Sequence, residues 1–366
     1  MAEFIGKVVE SDYGKEVKIT LKDKKILAAL TMNVRLSPSE IGRIVGLSKD
    51  AVRYRINQLE KRGVIRGSVV ILNPSKVGYY LHTLLLKFEN LSEKKENKII
   101  DFLASHPFGV WFGKCSGQWD FVFQFIAKDI KHFDKVIQKI KLVCGENLKD
   151  YENLTVFNLI KYVDLQDDFC KNLDLKFKFE KKDTSFAKEI KKGIIDFDYD
   201  NQIKLDLNDA RILKALSENA SASISDISKK TRIPRDTIVN RIRKMINNNL
   251  IIAFNPVINI TYLKYHLYII LFHLVNSTKE KEFLNYLSAH PFVAYGGKTT
   301  GKYEAQIFLA VKNPMHMHEI MTDFRRKFSD TIGSYESLLV IKDYKYTFLP
   351  KGVFSLFYKP SPLSGV

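Results

Sequence analysis

One block of sequence occurs twice in this 366-residue chain, which restricts the fold to arrangements of two copies of one module. Leu21-Lys22-Asp23-Lys24-Lys25-Ile26-Leu27 returns as Leu207-Asn208-Asp209-Ala210-Arg211-Ile212-Leu213. His106-Pro107-Phe108 returns as His290-Pro291-Phe292, and Gly113-Lys114 with Gly117 returns as Gly297-Lys298 with Gly301. The offset is 186 residues at first and 184 later, so one small deletion separates the copies. A period this long marks a duplicated module rather than a solenoid unit.

Each copy opens on a basic segment dense in helix signals. Ile26, Leu27 and Leu30 lie three or four residues apart, as on one buried helix face. Ser37-Pro38-Ser39-Glu40 places a capping serine, a first-turn proline and a capping-box glutamate in order. Ile41, Ile44 and Val45 supply the apolar face, and Gly46 sits where a positive φ ends the helix. Leu47 plugs the turn and Ser48 caps a third helix running to about Arg62, with Val52, Ile56 and Leu59 inward. Lys49, Arg53, Tyr54 and Asn57 lie on its outer face with Arg55 beside them. A short helix, a glycine turn and a polar-faced helix make a helix-turn-helix. Gly63-Val64-Ile65-Arg66-Gly67 reads as the start of a wing.

The second copy keeps the scaffold and changes the outer face. Ser223 and Asp226 repeat the capping box, whereas Pro234 stands where Ser48 stood and removes a side-chain cap. Arg235, Asp236, Val239, Asn240 and Arg243 now face outward, with Arg241 at the position of Arg55. Side chains on base edges specify sequence while phosphate contacts only position, so the two faces should prefer different bases.

Charge agrees with this reading. The formal net charge is +17. Residues 21–66 hold eleven Lys/Arg against four Asp/Glu, and residues 207–251 hold nine against four, so these segments carry 12 of the 17 net charges. Concentrated positive charge points to a polyanionic partner. Cys115, Cys144 and Cys170 form no C-x-x-C pair, which argues against a disulfide framework and a zinc ribbon and fits a reducing, cytoplasmic setting. No signal-peptide pattern and no apolar run of membrane-spanning length is visible, and no metal or cofactor is expected.

After each basic segment, β-type and amphipathic runs alternate. Tyr79–Phe88, Phe108–Lys114, Trp119–Ala127 and Tyr151–Tyr162 read as strands, with helices over Glu93–Ser105 and from Ile130 onward. The order is β-α-β-β-α-β, a ferredoxin-like unit, and it repeats from Leu263 to Tyr346. The chain is therefore expected to be α+β, with two winged helix-turn-helix domains and two ferredoxin-like domains in tandem. The expected boundaries are an arm or strand at 1–20, a first winged unit at 21–72 and a first ferredoxin-like domain at 73–163. A linker or arm at 164–202 follows, then a second winged unit at 203–255, a second ferredoxin-like domain at 256–347 and an extended tail at 348–366. Val17-Lys18-Ile19-Thr20 and Ile203-Lys204-Leu205-Asp206 read as matching entry strands.

Asp23-x-x-Ile26-Leu27, Gly63-Val64-Ile65, Asn73-Pro74, Gly78 and Gly117-x-x-Asp120 recur in the order that characterises one family. The chain resembles the Lrp/AsnC feast/famine transcription regulators twice over. The resemblance implies a winged helix-turn-helix joined to an α/β domain that pairs through its sheet. Such a protein binds double-stranded DNA, and many members sense amino acids near the glycine–aspartate loop. Carried over by position, the effector residues would be Ser116, Gly117 and Asp120 in the first copy and Thr300, Gly301 and Glu304 in the second, where Glu replaces Asp. The resemblance implies self-association through the ferredoxin-like domains, within the chain or between chains. Two readers would then meet successive major grooves roughly 34 Å apart. Arg53, Arg55, Asn57, Arg235, Asn240 and Arg243 are the leading contact residues.

Two alternatives use the same fold. Siroheme decarboxylases have related two-domain folds, sometimes fused, and such a site needs clustered His and Arg. His106 and His290 are the repeated candidates, but each precedes Pro at a helix end and reads as a capping residue. The decarboxylase histidine–asparagine–tyrosine signature is not apparent, and His316 and His318, two apart, point to different helix sides. The other alternative is a module that contacts the transcription machinery without reading sequence. The expectation is a regulator and not an enzyme.

Overall fold

The computed structural model describes residues 9–10, 17–162, 165, 167–170, 173, 175, 186 and 193–356. The first copy contributes helices α1 (Leu21–Met32), α2 (Pro38–Val45), α3 (Lys49–Lys61), α4 (Glu93–Ser105) and α5 (Ile130–Cys144). Its main strands are β1 (Ile65–Leu72), β2 (Tyr80–Phe88), β3 (Gly109–Ser116), β4 (Phe121–Ala127) and β5 (Leu148–Val156). The second copy follows with α6 (Leu207–Glu218), α7 (Ile224–Thr231), α8 (Arg235–Asn247), α9 (Glu280–Ala289) and α10 (Pro314–Lys327). Its strands are β6 (Ile251–Ile258), β7 (His266–Leu274), β8 (Val293–Thr300), β9 (Ala305–Val311) and β10 (Ile332–Tyr346). Both copies show the expected β-α-β-β-α-β order after their helical segments.

The two ferredoxin-like domains pair within one chain. Their sheets join into a closed antiparallel ring, β10-β7-β9-β8-β5-β2-β4-β3, with β3 returning to β10. Closure removes the exposed edges that four-stranded sheets would otherwise present. Alternation along each strand sends side chains to opposite faces. Leu84, Leu86, Phe121 and Phe123 pack outward under α4 and α5, and Ile270, Phe272, Ile307 and Leu309 pack outward under α9 and α10. Leu85, Trp111, Val122, Leu271, Phe308 and Leu338 point inward and fill the ring. Each fully buried aromatic or aliphatic side chain contributes about 1.5–3 kcal/mol of transfer free energy.

The seams are related by the repeat. Lys345 of the second copy donates to the carbonyl of His106 in the first, and Lys161 of the first donates to the carbonyl of His290 in the second. Gly117 and Gly301 lie at φ +144° and +130°. A Cβ on Gly117 would meet the Ser337 carbonyl oxygen at 2.9 Å, and one on Gly301 the Asn153 carbonyl oxygen at 2.7 Å. Those repeated glycines permit each hairpin to close onto the other copy's sheet.

Several expectations change. The anticipated wings are not separate hairpins: β1 pairs with β6, so each copy lends one strand to a shared ribbon. Residues 17–20 and 203–206 are not strands; Thr20 and Asp206 are instead the N-caps of α1 and α6. The last strand of the first copy breaks after Val156 into the pairs Asn158–Leu159 and Lys161–Tyr162, whereas β10 runs unbroken for 15 residues. The start of the tail is a 3-10 turn over Lys351–Leu356 rather than extended chain. Within the arm, Phe186 is buried beside Phe254, while Phe177 and Phe179 lie outside the described residues.

Candidate nucleic-acid interface

The helical trio of each copy forms because its caps are satisfied. Ser37 Oγ accepts from Glu40 N while the Glu40 carboxylate accepts from Ser37 N, and Ser223 and Asp226 pair in the same way. Gly46 ends α2 at φ +70°, and Arg232 adopts the same left-handed conformation at φ +60° to end α7. Ser48 caps α3 through its side chain, but Pro234 at the start of α8 cannot.

Helices α3 and α8 each bury one stripe and expose another. Val52 and Leu59 are inward on α3; Ile238, Ile242, Met245 and Ile246 are inward on α8. Lys49, Arg53, Tyr54 and Asn57 are exposed along α3, with Tyr54 at 65%. Arg235 and Asn240 are exposed on α8, and Val239 is half-buried. Arg243 is half-buried, with its guanidinium 5.9 Å from the centre of the Phe186 ring.

Arg55 and Arg241 have a different setting. The Arg55 guanidinium donates to Asp23 Oδ1 at 2.8 Å and to Thr20 Oγ1 at 3.3 Å. Arg241 donates to Asp206 Oδ2 and Asp209 Oδ1, both at 2.7 Å. Burial pushes the Asp23 carboxyl up, but hydrogen bonds from Thr20 and the Arg55 guanidinium outweigh it and hold the group below its ordinary value. In both copies this arginine ties the third helix to the cap of the first, which accounts for its presence in both sequences.

The two readers are docked on each other. Val34 N donates to Phe254 O at 3.0 Å, and Arg35 Nη1 donates to Ala220 O at 2.8 Å. The Arg35 guanidinium lies 5.2 Å from the Phe254 ring centre, and burial pushes its pKa down to about 10. At the repeat-related place, Ser221 N donates to Ser68 Oγ at 3.1 Å. Arg35 therefore meets Phe254 while its counterpart Ser221 meets Ser68. A symmetric pair of either copy would mismatch these partners, so the interface is matched to the mixed pair.

The loops carried over as effector sites lie at the ring seams. Gly117 and Gly301 are packed as described, and Ser116 and Thr300 end β3 and β8. Asp120 Oδ2 accepts from Phe88 N at 2.7 Å, and its Oδ1 accepts from Lys87 at 3.2 Å. Glu304 Oε2 accepts from Leu274 N at 2.8 Å. Both acids thus lock the strand beside their own hairpin. The repeated histidines cap α4 and α9: Nδ1 of His106 accepts from Phe108 N, and Nδ1 of His290 from Phe292 N. Burial drives both pKa values down to about 4. Among the described residues no group of three or more His, Cys, Asp or Glu could hold a metal ion, and no helix is long and apolar enough to cross a membrane.

Comparison with known proteins places these parts. Residues 19–66 match the winged helix-turn-helix DNA-binding family, and residues 205–246 match the AsnC-type helix-turn-helix domain. The chain is 30% identical over 146 residues to an uncharacterized HTH-type transcriptional regulator of Pyrococcus horikoshii, covering 38% of this chain and 87% of that one. It is 26% identical over 142 residues to the DNA-binding transcriptional activator DecR of Escherichia coli, covering 38% and 92%. Among solved structures, the siroheme decarboxylase NirDL with an iron-uroporphyrin III analogue superposes with a TM-score of 0.57 over 90% of this chain and 94% of that one. Its identity is 13%, so that likeness is one of fold. Two helix-turn-helix segments joined to one closed ring, together with relatives of single-module length, make this chain a member of the Lrp/AsnC family of transcription regulators, with two copies of the family's module in tandem.

Proposed function

We propose that this chain is a DNA-binding regulator that reads an asymmetric site through two unlike helices held in one rigid pair. The observation that carries this is the docking of two helix-turn-helix units whose exposed faces differ, Lys49, Arg53, Tyr54 and Asn57 against Arg235 and Asn240. Arg53, Asn57, Arg235 and Asn240 have the chemistry for base edges or phosphates. Arg55 and Arg241 serve as positioning residues that hold the reading helices. Because the units are fused, the order and spacing of half-sites are set by the fold rather than by association of separate chains.

Selection of bound DNA from a random pool by the purified chain tests this. The expected product is two non-identical half-sites at constant spacing, bound with affinity that falls steeply with salt as about 6–10 phosphates are neutralised. A palindromic product, or binding indifferent to salt, would overturn the reading. Arg53→Glu with Arg235→Glu should abolish binding while leaving the fold intact. Regulation that survives these changes would favour a role on the transcription machinery instead.

The decarboxylase reading lacks support from this chain's own residues. His106 and His290 face the helix-side cores beside Phe123 and Phe324, not the ring interior. The cavity between the β1–β6 ribbon and the ring has no His, Arg or Lys in its lining to hold the carboxylates of a uroporphyrin, whereas a wider one of about 910 Å³ is lined by His82, Lys128 and Lys131 but no Arg. Unchanged absorption of siroheme in the presence of the chain is the expected result.

A further inference from the structure

We propose that the groove beside the N-terminus of α5, on the outer face of the first ferredoxin-like domain, binds a small aromatic carboxylate. The groove measures about 910 Å³, within the range of about 300–1,000 Å³ usual for small-molecule sites. It lies apart from the aromatic cavity that Asp343 lines between the ribbon and the ring. His82 lines the groove yet is only 8% exposed. Its imidazole packs against Phe125 and Phe133, with ring centres 5.2 and 4.8 Å away. Across the β2–β5 pairing, Nδ1 meets Thr155 Oγ1 at 3.2 Å. Nε2 has no partner among the described residues and is not sealed in the core, so it opens onto the groove.

Positive charge converges on the same place. Lys128 and Lys131 line the groove, and neither makes an ion pair among the described residues. They flank the start of a 15-residue helix, whose dipole favours an anion there. The acid in the lining, Asp129, caps that helix by accepting from His132 N at 2.7 Å. Burial drives the His82 pKa down to about 4, so its ring is neutral. A bound carboxylate selects the tautomer in which Nε2 carries the hydrogen and Thr155 donates to Nδ1. Two lysines match one carboxylate rather than the several of a uroporphyrin. Part of the wall is apolar: Ile130 is 85% exposed, and Tyr80 is exposed and stacked on Tyr199 with ring centres 4.3 Å apart. An aromatic body covers both surfaces. The second copy lacks the polar set. The matching bonds from Phe88 N to Asp120 and from Leu274 N to Glu304 fix the register of the two copies. Tyr268 then stands at the position of His82, Met315 at that of Lys131 and Leu339 at that of Thr155. The chain thus carries donor, cation and hydroxyl together in one copy only.

Calorimetry on the full chain with indole-3-acetate and with indole-3-acetamide, its uncharged isostere, tests the assignment without DNA. The acid should bind saturably at one site per chain, and the amide at least tenfold more weakly. Lys131→Met changes an exposed side chain to the residue of the second copy; it should weaken the acid at least tenfold and leave the amide unchanged. In nitrogen-15 spectra of the unaltered chain, the Nε2 resonance of His82 should shift as the acid saturates. No saturable binding of the acid, equal affinity for acid and amide, or an unmoved His82 resonance would overturn the proposal. Since DNA is absent from the measurement, that failure would leave the DNA-reading proposal standing.

Discussion

Replacing Gly301 by alanine probes the closure of the ring directly. At φ +130° an alanine occupies a region that is essentially glycine's own, at a cost on the order of 1–3 kcal/mol. The new Cβ also meets the Asn153 carbonyl oxygen at 2.7 Å and Leu154 Cδ2 at 2.9 Å. That oxygen belongs to a paired strand and cannot retreat without disturbing β5, so overpacking adds about 1–3 kcal/mol. Together Gly301→Ala should cost about 2–6 kcal/mol. Gly46→Ala separates the two contributions, since Gly46 lies at φ +70° with nothing within 4 Å of its absent Cβ. That change carries backbone strain alone, about 1–2 kcal/mol. Urea titration followed by tryptophan fluorescence measures both, because Trp119 sits in the seam with Nε1 donating to Glu336 at 3.2 Å. If Gly301→Ala costs no more than Gly46→Ala, the close approach of hairpin to neighbouring sheet is not what the repeated glycine provides.

Three further outcomes are expected. Arg55→Ala should lower stability by about 1–3 kcal/mol by stripping a buried carboxylate of its guanidinium, while Arg53→Ala should leave the urea midpoint unchanged and reduce the salt slope of DNA binding by about 1. His82, His106 and His290 are driven down to about 4 by burial, from an ordinary value of 6.5. Their contribution to stability is complete above pH 6.5 and is lost as pH falls toward 4, because the unfolded chain takes up protons that the folded chain refuses. The loss is about 4 kcal/mol per pH unit for the three; denaturation at pH 7 and pH 5 measures it, and His106→Gln should remove about a third of the slope. Arg232→Gly should raise stability by about 1 kcal/mol by relieving the left-handed conformation, and a lower urea midpoint would contradict that.

Much of the local structure was legible in the sequence. Ser37, Glu40 and Gly46 announced α2 because caps act over three or four residues. His106 and His290 were readable as helix caps for the same reason. Arg55 and Arg241 were not separable from the reading face, because their partners Asp23, Asp206 and Asp209 lie 32 or 35 residues away. The expected hairpin wings failed similarly: β1 and β6 carry ordinary strand patterns, and nothing local distinguishes a hairpin partner from a strand of the other copy.

The cavity with Asp343 lay beyond sequence reading altogether. An Asp in an alternating strand reads as solvent-facing, and only ring closure turned that position inward. What the sequence alone determined was the module, its duplication, its caps and the divergence of its outer faces, all set by residues within a few turns of one another. What only tertiary structure decided was that the copies pair within one chain, share a two-stranded ribbon, seal their seams at Gly117 and Gly301, and enclose an acidic aromatic cavity on one side. Those outcomes depend on contacts between residues more than a hundred positions apart, whose complementarity becomes visible only when the chain has folded back on itself.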